Sequence, residues 1–216
     1  MVRAEQCGGL FVSFEGPEGS GKTTQIHMLA AHLQAAQRQV VCTREPGGTE
    51  IGEKIRVVLH DPVNVTMDPR AEALLYSAAR AQHVAERIVP ALAEGRIVLT
   101  DRFSASTMAY QGYGHGLDLA QIECITAFCT RGLLPDLVIY LDLDVEAGLR
   151  RKREDHRQGI GEWNRMDGQA VSFHRRVREG YLRMARQEPE RWLVLDALAP
   201  REAIHDQILD RVSSML

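Results

Sequence analysis

The densest run of chemistry-bearing residues is Gly16-Pro17-Glu18-Gly19-Ser20-Gly21-Lys22-Thr23, followed by Thr24, a complete G-x-x-x-x-G-K-[ST] pattern. Glycines at that spacing let backbone N–H groups turn inward around phosphate oxygens, and a helix starting there adds its positive end. Lys22 then reaches the β- and γ-oxygens, and the Thr23 hydroxyl ligates Mg²⁺. This is the chemistry of a nucleoside-triphosphate site. A second group is Asp101-Arg102. An acid that organises Mg²⁺ beside a planar guanidinium suits a second phosphate-bearing substrate, because Arg grips phosphate bidentately. Glu45 precedes Pro46-Gly47-Gly48, a turn expected to expose it, and Tyr76 and Arg80 stand four apart, on one face of a helix. Arg150, Arg151, Lys152, Arg153, Arg157 and Arg165 form a basic run that contains Gly159 and Gly161. Between Pro17 and Ser20 the phosphate loop has no cation of its own, so this run is the reservoir from which one must come.

The elements that must hold these residues are legible from periodicity. Apolar runs of strand length occur at 10–14, 40–43, 97–100, 137–141 and 192–195. Between them Ile26, Leu29, Ala30 and Leu33 recur at helical spacing, as do Ile51, Ile55, Val58 and Leu59. Asp118 and Gln121 form a capping box before Ile122 and Ile125, and Gly95 stops a helical stretch over 80–94. Near-continuous apolar strands alternating with helices predict an α/β fold: a doubly wound, five-stranded parallel sheet flanked by helices, with ligands at the carboxyl ends of the strands. No linker, repeat or low-complexity tract divides the chain, so residues 1–216 are expected to form one domain, with a mobile lid at about 150–165.

Composition narrows the function. The chain has 216 residues, 44% hydrophobic and 25% charged, with a formal net charge of −3. That balance argues against a general nucleic-acid or anionic-membrane surface. The longest apolar run, Leu137 to Leu141, is far below the ~20 residues that span a bilayer. The first residues lack the apolar core of a signal peptide, so a cytoplasmic protein is expected. Cys7, Cys42, Cys124 and Cys129 make no CxxC pair and read as inert thiols. Lysines occur only at 22, 54 and 152, so no Asn-Lys-x-Asp can read guanine. With Asp101-Arg102 placed for a second phosphate, this points to a small-molecule phosphotransferase.

Phe14-Glu15-Gly16, Thr43 to Thr49 (TREPGGT), Ala78-Ala79-Arg80, Asp101-Arg102-Phe103 and Ser106 to Gly112 (STMAYQG) resemble, in order and spacing, the signatures of the bacterial thymidylate kinase family. The similarity extends from about Leu10 to Met184. The resemblance implies transfer from ATP to dTMP with Mg²⁺, usually by a homodimer. It implies that Tyr76 stacks on thymine, where the family commonly has Phe, and that Arg80 hydrogen-bonds the base edge. Arg102 and Arg56 are similar to the arginines that hold the monophosphate. Glu45 resembles an acid near Mg²⁺ and the attacking phosphate; its role is orientation, since a phosphate oxygen is already anionic. Ser106, Thr107, Tyr110 and Gln111 match positions that border base and sugar, where Tyr110 would crowd C2′ and Gln111 suits the imide edge of thymine.

The basic run is similar to the family's lid arrangement, in which the catalytic Arg lies in the lid. Arg153 is the first choice, with Arg150, Arg157 and Arg165 left open. The stretch 155–164 is longer than the usual bacterial lid, and Asn164 stands where an Asp is expected. His115, between two glycines, reads as a turn residue. Two alternatives remain at this point: another nucleoside monophosphate or deoxynucleoside kinase, and a regulatory or assembly ATPase.

Overall fold

The computed structural model describes residues 8–159 and 164–216. Five strands, β1 (Phe11–Glu15), β2 (Val40–Arg44), β3 (Ile97–Asp101), β4 (Leu137–Asp142) and β5 (Trp192–Asp196), form one sheet in the order β2-β3-β1-β4-β5. Every pairing is parallel. Each expected strand is present, extended by one residue at its carboxyl end. β1 is buried throughout, and β3 and β4 are buried up to their last residues, as runs covered on both faces must be. The edge strands β2 and β5 are only partly covered.

Helix α1 (Lys22–Ala35) buries Ile26, Leu29, Ala30 and Leu33 against one face together with α9 (Arg201–Ser213). On the other face α2 (Glu50–His60), α3 (Pro69–His83), α4 (Val89–Ala93), α5 (Ser104–Thr107) and α6 (Leu119–Thr130) precede β4. Helices α7 (Val145–Arg157) and α8 (Val171–Gln187) follow it.

The expected helix over 80–94 is interrupted by a π-helical turn, Val84–Ile88. Pro90 cannot donate to the carbonyl four residues back and its ring would crowd it; widening the preceding turn accommodates both effects. Gly95 closes the stretch in a left-handed conformation, φ +73°, as expected. At Asp118 the side chain accepts from Gln121 N at 2.9 Å, which supplies the aspartate half of the expected box.

A second π-helical stretch, Met108–Gly114, lies against α8. Gly114 is required there, because a Cβ would stand 2.7 Å from the Phe173 ring and 2.9 Å from Val177.

The stripe on α2 departs from expectation. Leu59 is buried, but Ile51 is 50% and Val58 44% exposed, alongside Val57. Leu74 on α3 and Phe128 on α6, the latter 87% exposed, are also uncovered, on helices of which α3 packs against both α2 and α6.

Candidate functional site

The carboxyl ends of β1 and β3 lie side by side, with Phe14 opposite Asp101. From β1 the chain turns through Gly16–Gly21 into α1, whose first turn has no side-chain cap and no acid. Its leading amides therefore retain the anion-binding character of an open helix start. Gly16 takes φ +141°, and a Cβ there would meet the Leu141 carbonyl at 2.6 Å, so only glycine lets the loop pass over β4. Lys22 is buried and donates to the carbonyls of Gly16 (3.2 Å) and Pro17 (3.0 Å). Burial and nearby Arg102 lower its ammonium pKa, against Glu18, Asp101 and Glu15. Thr23 Oγ1 donates to Asp101 Oδ2 at 2.9 Å.

Arg102 has φ +70°, a left-handed backbone that costs a side-chain-bearing residue ~1–2 kcal/mol. It is pinned by its own N–H to Phe14 O and by Thr100 Oγ1, which donates to its carbonyl, both at 2.9 Å. The guanidinium thereby reaches across to Glu18 (2.8 Å) and Ser106 (3.3 Å), with its centre 5.3 Å from the Tyr110 ring centroid. Lys22 holds the Glu18 carboxyl far below the usual range, helped by Arg102 and Lys152 and opposed by burial.

Behind Arg102 sits Glu15, which accepts from Phe103 N, Ser106 Oγ and Tyr181 Oη. Burial raises its pKa in spite of them. Glu15 was visible in Phe14-Glu15-Gly16 but no role could be assigned from sequence, because its partners lie 88 to 166 residues away.

Part of this assembly lines one cavity of about 480 Å³, while Gly16, Lys22 and Glu15 lie outside its wall. Its wall includes Pro17, Glu18 and Thr23 at the loop end, then Asp101, Arg102, Ser106 and Tyr110, and finally Arg56, Tyr76, Thr107 and Gln111. Arg56 is fixed by donating to Pro46 O at 3.1 Å. Lys152 of the basic run lines the cavity too, as do Arg44, His60 and Asp167, to which no role was assigned from the sequence.

Several placements differ from expectation. Glu45 lines the cavity but is buried, not exposed by its turn: Oε2 accepts from Arg80 Nε at 2.7 Å and Oε1 lies 2.9 Å from His83 Nδ1. Burial raises its carboxyl, but Arg80 and His83 outweigh it and leave the pKa lowered. Arg80 lies behind the wall, 1% exposed, with Nη1 on Thr107 Oγ1 and Nη2 on Phe103 O. An i, i+4 spacing places Tyr76 and Arg80 on one face but says nothing of depth.

Arg153 is exposed and outside the cavity wall, whereas Lys152 stands 3.7 Å from both Glu18 and Asp167, and Arg151 donates to Gly19 O at 3.3 Å. Arg165 is buried against Glu72 and Leu59 O, outside the cavity wall. Residues 160–163 of the expected lid lie outside the described residues. Asn164 Oδ1 accepts from Met166 N at 2.8 Å, the turn-forming bond an Asp would make. His115 is more than a turn residue: it contacts Glu72 at 3.2 Å and its ring centroid is 4.8 Å from that of Phe173.

A protein-family model described as thymidylate kinase matches residues 14–208. The thymidylate kinase of Roseiflexus castenholzii is 51% identical, covering 92% of this chain and 90% of its own. That of Trichlorobacter lovleyi is 48% identical over 96% and 98%. The crystal structure of thymidylate kinase from Ehrlichia chaffeensis superposes with a TM-score of 0.74 at 32% identity, covering 94% of this chain and 98% of the other.

Proposed function

The chain belongs to the thymidylate kinase family, and on that premise we propose that it transfers the γ-phosphoryl group of ATP to a phosphate oxygen of dTMP, giving dTDP and ADP. The observation that carries this reading is that the phosphate loop and the Arg102 guanidinium, on adjacent strand ends, line one cavity. A triphosphate on the loop amides and a monophosphate on Arg102 and Arg56 would meet end to end there. The γ-phosphorus then gains a bond to the dTMP oxygen as its bond to the β,γ-bridging oxygen breaks, and the electron pair leaves on ADP.

The residues divide the work. Lys22 balances charge on the β- and γ-oxygens, and Glu45 and Arg102 orient the acceptor. Tyr76 offers a ring to the base and Tyr110 a bulk against a ribose hydroxyl. The lid cation comes from α7 or the segment after it, within about 150–165; Arg151 and Lys152 join Arg153 as candidates because they contact the loop or its Glu18. The adjoining Thr23 hydroxyl and Asp101 carboxylate are hard oxygen donors and fit Mg²⁺. Among the described residues no three His, Cys, Asp or Glu side chains could hold an ion, so it would share phosphate oxygens. Bound there, Mg²⁺ supplies neutralisation of the phosphate charge.

We further propose that residues 1–216 act as one domain in a cytoplasmic homodimer. The apolar face on α2, α3 and α6 supports the dimer, and the demand for ATP supports the compartment. The comparisons do not favour the other nucleoside kinases.

Lys22→Ala is expected to abolish transfer with the fold retained by circular dichroism; undiminished turnover would defeat the loop assignment. Rates with dTMP, dUMP, dCMP, dAMP and thymidine as acceptors test the other half. A preference for dTMP is expected, and equal rates for all would contradict the roles given to Tyr76 and Gln111.

A further inference from the structure

Glu72 lies on α3, outside the cavity wall and with no exposed surface, yet three side chains converge on it. Gln111 Nε2 donates to its Oε1 at 2.6 Å, His115 Nε2 lies 3.2 Å from the same oxygen, and Arg165 Nη2 donates to Oε2. Burial raises the Glu72 pKa, but His115, Gln111 and Arg165 outweigh it and favour the carboxylate. A carboxylate only accepts, so whichever end of the Gln111 amide faces it must be the nitrogen. Gln111 also touches the cavity, and among the described residues no donor meets its Oε1. The amide therefore cannot rotate freely: its oxygen is left for whatever occupies the pocket.

We propose that Glu72 is a positioning residue for base selection, which locks the Gln111 amide so that the pocket presents an acceptor to the pyrimidine edge. Thymine and uracil carry a hydrogen on N3 and satisfy that acceptor. Cytosine carries a lone pair there, so the two acceptors repel and Gln111 cannot turn to relieve them without placing its own oxygen against Glu72. This deepens the function proposed above and rests on Gln111 facing the base.

The test is kcat/KM for dTMP and dCMP in the parent, Glu72→Gln and Gln111→Ala enzymes, with melting temperatures recorded. Glu72→Gln can donate as well as accept, which frees the amide; the dTMP:dCMP preference is expected to fall about tenfold or more, as it does in Gln111→Ala. A purely structural Glu72 would weaken both substrates together and leave the ratio unchanged. If Gln111→Ala lowers the preference and Glu72→Gln does not, the proposal falls and the base-facing reading survives. If Gln111→Ala leaves the preference intact, the reading of Gln111 itself fails, and the proposal with it.

Should Glu72→Gln not fold, the Gln111 side-chain NH₂ resonances of the ¹⁵N-labelled parent, assigned by their loss in Gln111→Ala, decide the matter. Of the two, the hydrogen on the carboxylate is expected to lie downfield and to move little when dTMP is added, whatever its geminal partner does. Loss of that downfield position on dTMP addition would show that the amide has turned away from Glu72 and overturn the proposal.

Discussion

Arg102 illustrates how much a single residue can disclose. Its type and its place after Asp101 are enough to suggest a phosphate grip. The left-handed backbone that aims it is invisible in sequence, since an arginine is not a residue from which φ +70° is expected. Because a planar fork and not charge alone is required, Arg102→Lys should raise KM for dTMP by about one to two orders of magnitude, with KM for ATP much less affected. Equal effects on both KM values would contradict the assignment of Arg102 to the acceptor.

The buried placements of Glu45 and Arg80, and any part for Glu72, were not legible: their partners lie 23 to 93 positions away in the chain, and no local pattern encodes such meetings. His60 allows a prediction in pH. Burial and Arg56 hold its imidazole down to about 4, and Nδ1 is buried without a partner among the described residues. The unfolded chain binds this proton near the ordinary value of about 6.5, so stability is present above that pH and declines as pH falls toward about 4. With its partial exposure allowed for, the contribution is about 1–2 kcal/mol. His60→Gln should therefore flatten the fall in unfolding free energy between about pH 6.5 and 5, measured by urea titration; an unchanged slope would remove His60 as its source.

At the scale of elements, the strands were read well because burial on both faces forces continuous apolar runs, and α1 because its buried stripe keeps one period. The π-helical turns were not. Pro90 gives a reason for the first only once the helix is known to continue beyond it. The second, Met108–Gly114, carries Tyr110 and Gln111, and its position depends on close packing with α8. Gly114→Ala should push these elements apart. The expected cost is about 1–3 kcal/mol of stability together with a raised KM for dTMP, read by chemical denaturation and steady-state kinetics. Unchanged stability and KM would mean that the contact yields without consequence.

For the whole molecule, the alternation of strands and helices was sufficient to predict a doubly wound sheet with its site at the strand ends. What periodicity could not say is which apolar stripes face the chain's own core. The stripe of Ile51 and Val58 looked like any other, yet it lies open, as do Leu74 and Phe128 on the helices packed in series with α2. A large apolar face of this kind signals association. Sedimentation velocity should give twice the chain mass for the parent at micromolar concentration and one chain mass for Phe128→Glu; a monomeric parent would refute the dimer.

The central claim is that two phosphate-bearing nucleotides approach each other within one cavity at the ends of β1 and β3. It is tested most directly by diffraction from crystals grown with dTMP and a non-hydrolysable ATP analogue. The analogue's phosphates should lie on the amides of 16–24, with the dTMP phosphate on Arg102 and its base against Tyr76. Density for dTMP anywhere else, such as the basal groove bordered by Arg38 and Leu216, would contradict the account.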